Sequence, residues 1–102
     1  MTLYAFLFKG GLRTNELTRE YYSRFVEWAS KVASSKIVGS RFRQEGKVVS
    51  KNDVRLLNFD SDTVGGYIVV EADSYEKAVE IAKGCPILEN NGTVEISEIV
   101  PA

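Results

Sequence analysis

The chain has 102 residues, 44% hydrophobic and 26% charged, with a formal net charge of −1. A polypeptide of this length buries roughly 60 to 68% of the surface its unfolded form exposes, enough for one modest core and no second domain, so residues 1–102 are read as a single domain. The near-zero charge argues against a nucleic-acid or anionic-lipid partner, and the lack of histidine together with a lone cysteine, Cys85, removes a thiolate-rich metal site and an internal disulfide.

The first segment, "TLYAFLF" at residues 2–8, alternates with period two: Leu3, Ala5 and Leu7 point one way, Tyr4, Phe6 and Phe8 the other. Both faces are apolar, so the segment predicts a central strand covered on two sides. The apolar run is too short for a signal-peptide core or a membrane span, and no basic region precedes it, so the protein is expected to be cytoplasmic with no membrane partner. "KGGLRTN" follows as a connection in which Gly10 and Gly11 permit backbone angles that other residues avoid.

From Thr14 or Asn15, either a suitable cap, Leu17, Tyr21, Phe25, Trp28, Ala29 and Val32 recur at helical spacing. The spacing predicts one long amphipathic helix ending near residues 34–36. "IVGSRFRQEGKVVS" predicts a strand, a tight turn around Gly46 and a second strand, that is, a hairpin. "NDVRLLNFDSD" continues an edge strand and then loops through Asp60 and Asp62, where turn chemistry explains the aspartates.

Gly65 and Gly66 open a further strand whose apolar, β-branched core is Tyr67 to Ala72. Asp73 or Ser74 then caps a short helix with Ala78, Val79, Ile81 and Ala82 on its buried stripe; Asp73 with Glu76 has the outline of a capping box, Gly84 stands at the C-terminus, and Pro86 stops the helix. After "NNG", "TVEISEIV" is a last strand with Val94 and Ile96 on one face and Glu95 and Ser97 on the other.

This order is that of an α+β, ferredoxin-like βαββαβ fold, an antiparallel sheet with two helices on one face. Helices cover one side only, yet several strands are apolar on both, so a symmetric homodimer packed sheet to sheet, a dimeric α+β barrel, is expected. Charge is unevenly placed: residues 39–55 carry Arg41, Arg43, Lys47, Lys51 and Arg55 against Glu45 and Asp53, while residues 71–98 carry seven acids against Lys77 and Lys83.

The stretch "VGGYIVVEADSYEKAVEIAKGCPILENNGTVEISEIV", together with "YAFLF" and the region of Trp28, resembles the YCII-related proteins, including the branch named for its DGPF motif. The resemblance implies the dimeric α+β barrel fold and, from a few relatives, degradative chemistry on small aromatic compounds. Two departures stand out. "FDSDTVGG" keeps aspartates but not the proline and phenylalanine of the motif, and the His and Asp pair proposed as catalytic in some members has no counterpart in a chain without histidine.

General acid and base work would therefore fall to a carboxylate whose burial raises its pKa, and Glu71, flanked by Val70 and Ala72, is the catalytic candidate; a salt-bridged or solvent-facing strand end is its alternative. Arg41, Arg43 and Arg55 are spaced to converge on an anionic ligand or to blunt an edge strand. Tyr4, Trp28 and Tyr67, with Phe6, Phe8 and Phe42, line an apolar pocket or simply form the core. Cys85, at the end of a helix, reads as a packing residue. No cofactor, metal or nucleic-acid motif is found. The expected function is binding of a small aromatic or anionic molecule in a cleft of the dimer. The alternatives are a lyase or isomerase acting on a small aromatic or lactone compound, and a structural or regulatory dimerisation module.

Overall fold

The computed structural model describes residues 2–101. Strand β1 (Thr2–Lys9) leads through a 3₁₀ turn (Thr14–Glu16) to helix α1 (Arg19–Val32), then to β2 (Lys36–Arg41), β3 (Lys47–Ser50), β4 (Asp53–Leu56) and β5 (Val64–Ala72). Helix α2 (Tyr75–Lys83), a second 3₁₀ turn (Pro86–Asn90) and β6 (Thr93–Glu98) complete the chain. Four strands form an antiparallel sheet in the order β2-β5-β1-β6, with β1 and β5 in the middle, while β3 and β4 pair only with each other.

The two central strands owe their place to the alternation read above. Tyr4, Phe6 and Phe8 of β1 and Ile68, Val70 and Ala72 of β5 are buried beneath the helices, in one cluster with Trp28 and Val32 of α1 and Ala78 and Ala82 of α2. Each fully buried aliphatic or aromatic side chain there contributes about 1.5 to 3 kcal/mol. Edge-to-face rings tighten the α1 contact, with Phe8 and Trp28 centroids 5.9 Å apart and Phe25 and Trp28 5.7 Å apart. The other face carries Leu3, Ala5 and Leu7 of β1 beside Tyr67 and Val69 of β5, all half-buried, and neither helix lies on it. Helices on one face of an antiparallel sheet in this order make the fold α+β and ferredoxin-like.

Three local expectations need correction. Helix α1 does not begin at Thr14 or Asn15: Thr18 is its cap, the hydroxyl oxygen accepting the Tyr21 N–H at 3.1 Å, while Thr14 starts the separate 3₁₀ turn. The hairpin around Gly46 does not exist as such, because β2 pairs with β5 and the true hairpin joins β3 to β4 through Lys51 and Asn52. Ser74 rather than Asp73 caps α2, accepting the Lys77 N–H at 3.2 Å, so the outlined capping box does not form. Gly84 follows α2 as expected, at φ −84°, which any residue adopts; a Cβ there would stand 3.0 Å from Trp28 Cδ1 and press on the indole. Left-handed conformations fall at Gly10 and Gly11, with φ of 73° and 83°, where β1 turns away from the sheet, and at Asn91, with φ of 62°, after the second 3₁₀ turn.

Candidate functional site

Two ends of the sheet differ in chemistry. Where β1 finishes and β5 begins, three connections meet: residues 10–18, 42–46 and 57–63. Gln44 ties the first two together. Its Oε1 accepts the Thr14 N–H at 2.9 Å and the Thr14 hydroxyl at 3.1 Å, and its Nε2 donates to the Leu12 carbonyl at 3.1 Å. Arg13 ties in the third: its guanidinium donates to the Phe59 carbonyl at 3.2 Å and lies over the Phe59 ring, 5.5 Å from the centroid. The Glu16 carboxylate accepts the Arg13 N–H at 2.8 Å and fixes the turn that presents it.

The third connection is rigid for its own reasons. Asp60 Oδ1 accepts the Asp62 N–H at 2.8 Å and the Thr63 hydroxyl at 3.1 Å, and these hydrogen bonds, the Asp62 N–H first, hold the Asp60 carboxyl below its ordinary value. The Thr63 carbonyl in turn accepts the Gly10 N–H at 3.0 Å. Between these loops lies a cleft of about 600 Å3, whose walls include Arg13, Gln44, Glu45, Leu57, Asn58 and Phe59. An aromatic plane, a guanidinium and uncharged amides on a stiff frame suit a flat molecule bearing negative charge.

A second cleft, of about 520 Å3, opens at the other end between α1, α2 and the end of β5. Trp28, Val32, Ile81 and Gly84 contribute to it, with Ser35, Glu71 and Asp73. Its cations are engaged: Lys77 faces Glu80 at 3.8 Å, and Lys31 faces Glu27 at 3.7 Å. The Trp28 indole N–H donates to the Ile81 carbonyl at 2.9 Å.

The side chains singled out from sequence are therefore spread over the molecule. Tyr4 and Trp28 are buried in the core under the helices, where the Tyr4 ring stands edge-on to Tyr75 at 4.8 Å. Tyr67 lies on the opposite, helix-free face, its ring 5.8 Å from that of Phe42, so the six aromatics do not share one pocket. Glu71, one residue before the end of β5, borders the second cleft, its N–H donating to the Ser35 carbonyl at 2.8 Å and its place in the alternation putting it on the helix-free face with Tyr67 and Val69. Arg41 ends β2, Arg43 immediately precedes Gln44, and both are exposed beside the first cleft's frame, whereas Arg55 belongs to the β3–β4 hairpin, so β2 and β4 do not bring it alongside Arg41. Cys85 is buried, and burial pushes its thiol up to about 11, the state of a packing residue rather than a nucleophile.

Arg13, Gln44, Asn58 and Phe59 escaped the sequence reading. Their one local signal is the arginine two residues after a glycine pair; the partners that make it a site lie more than thirty positions away.

The four-stranded antiparallel sheet with both helices on one face is the subunit fold of the dimeric α+β barrel proteins. Residues 14–102 match the YCII-related domain, and the chain belongs to that family. Among curated proteins none matches it. Among solved structures it is similar to 5-chloro-2-hydroxyhydroquinone dehydrochlorinase from Burkholderia phenoliruptrix, in complex with 2,5-dihydroxybenzoquinone. That likeness has a TM-score of 0.59 at 13% identity and spans 93% of this chain and 90% of the other. Among the described residues no helix is long and apolar enough to cross a membrane.

Proposed function

We propose that the chain works as a cytoplasmic homodimer that binds a small, flat, anionic molecule in the cleft of Arg13, Gln44, Asn58 and Phe59. The observation that carries this reading is the placement of Arg13: one edge of its guanidinium is anchored on the Phe59 carbonyl and one face on the Phe59 ring. Arg41 and Arg43 stand nearby without a carboxylate partner among the described residues, so two further guanidiniums remain open to an anionic group even though Glu16, Glu45, Asp60 and Asp62 lie in the same connections. The half-buried face of Leu3, Ala5, Leu7, Tyr67 and Val69 supports the dimer, since an apolar sheet face of that extent is covered in a stable protein. The buried, reduced Cys85 fits a reducing compartment.

The ligand of the structural relative, 2,5-dihydroxybenzoquinone, is a planar molecule with acidic hydroxyls and makes a suitable probe. Calorimetric titration should show it binding to the native chain, and Arg13→Ala should weaken binding by about tenfold or more, the loss expected for one charge-assisted contact. Equal affinity of the two proteins, or none in the native chain, overturns the proposal.

A second reading is an enzyme of the lyase or isomerase type in which Glu71 takes a proton. The half-buried position of Glu71 at the Trp28 cleft favours it. Under that reading Glu71→Gln abolishes turnover of a substrate found by screening while the melting temperature stays nearly constant, and unchanged turnover ends it.

A further inference from the structure

The β3–β4 hairpin has no place in the sheet. Register pairs Lys47 with Leu56 and Val49 with Val54, so these four side chains share one face. On it Val49 is 74%, Val54 61% and Leu56 65% exposed. A two-stranded ribbon is marginal in water unless its apolar face is packed on something. The hairpin is also cationic, carrying Lys47, Lys51 and Arg55 against Asp53, and none of these cations has a carboxylate partner among the described residues.

The opposite end of the molecule has the complementary character. The register places Glu71 across from Leu3 on the helix-free face and Glu98 across from Tyr4 on the helix face. The Tyr75 hydroxyl accepts the Glu98 N–H at 2.9 Å, which brings the start of α2, with Glu76, to the same spot. Glu71, Glu76 and Glu98 have no cationic partner among the described residues. The Ile99 N–H donates to the Leu3 carbonyl at 2.9 Å, which sets Ile99 and Val100, the latter 80% exposed, beside these carboxylates.

We propose that the β3–β4 hairpin is a clasp that lies on the carboxylate-rich end of a second copy of this chain, its valines and Leu56 against Ile99 and Val100, and Lys47, on that same hairpin face, against Glu71. The clasp rests on the dimer reading above and adds how the two copies hold each other. Geometry favours this occupant. The hairpin leaves where β1 finishes and β5 begins, and the carboxylates stand where β1 begins and β5 finishes. A two-fold axis across the strands exchanges those ends, so each hairpin reaches the other subunit's acidic end and the assembly closes at two.

Sedimentation equilibrium tests both layers separately. Lys47→Glu and Glu71→Lys should each raise the dimer dissociation constant by about tenfold or more, and the two together should restore it to within about threefold of the native value. Val49→Ser with Val54→Ser should weaken the dimer comparably, without the rescue. A native dimer whose dissociation constant none of these changes overturns the clasp and leaves the sheet-to-sheet dimer standing; the hairpin is then free for an acidic partner of another kind. A native chain that is monomeric at every concentration reached overturns the dimer reading and the clasp with it.

Discussion

Strands β1 and β5 and the β3–β4 hairpin are built from the same kinds of residue, yet one pair forms the centre of the molecule and the other stands out in solvent. Phe6 and Val70 are fully buried, whereas Val49 on the same alternating pattern is among the most exposed hydrophobic residues. The difference lies in neighbours. β1 has β5 and β6 on its two edges and helices over one face; β3 has β4 alone. Alternation makes a strand, but a second layer decides whether its apolar face is buried.

The sharpest way to break this comparison is to truncate one residue from each region. Phe6→Ala should cost about 3 to 5 kcal/mol, since the ring is enclosed on all sides and its loss leaves a cavity beneath α1 and α2. Leu56→Ala in the hairpin should cost less than about 0.5 kcal/mol in the dilute monomer. Urea denaturation of both variants beside the native chain measures the contrast. A comparable loss from Leu56 would mean that the hairpin is packed within its own subunit, contrary to its exposure.

What the sequence shows plainly follows the same division. In "TLYAFLF" the side chains are apolar on both faces, and a central strand satisfies both, so β1 and its apolar second face were legible. Val94 and Ile96 likewise take the helix side of β6 while Glu95 and Ser97 take the other, as alternation demands. Pairing was not legible. Gly46 signals a bend, but nothing local says that β2 will leave β3 and join β5 some thirty residues on, where Val38 lies opposite Val69 and Gly39 opposite Ile68. The start of α1 failed for a related reason. Thr14 and Thr18 are equally good caps, and the choice is made by Gln44, which engages both the N–H and the hydroxyl of Thr14 from thirty positions away. The cleft depends on that same glutamine, so the helix boundary and the candidate site were hidden together. Glu71 was correctly placed at a strand end, yet the sequence could not show which cleft it would border.

The glycines of the two regions sharpen the comparison at smaller scale. A Cβ on Gly39 in β2 would stand 2.6 Å from Ile68 Cγ2 and 2.8 Å from the Tyr67 carbonyl oxygen. Backbone cannot yield there without disturbing the β2–β5 ladder, so Gly39→Ala should destabilise by about 1 to 3 kcal/mol in the same urea titration. At Gly46, by the hairpin's base, the nearest atom to a new Cβ is Leu57 Cδ2 at 3.3 Å, the end of a half-buried side chain that can turn aside. Its backbone is not in the left-handed region, so alanine meets no strain. Replacing glycine there narrows the unfolded ensemble, and Gly46→Ala should leave stability unchanged or raise it by about 0.5 kcal/mol. Opposite signs at the two positions are expected because Gly39 lies against the backbone of β5, which cannot move aside, and Gly46 lies only against the end of one side chain. Equal losses would place the base of the hairpin in the packed interior and remove the distinction between the two regions.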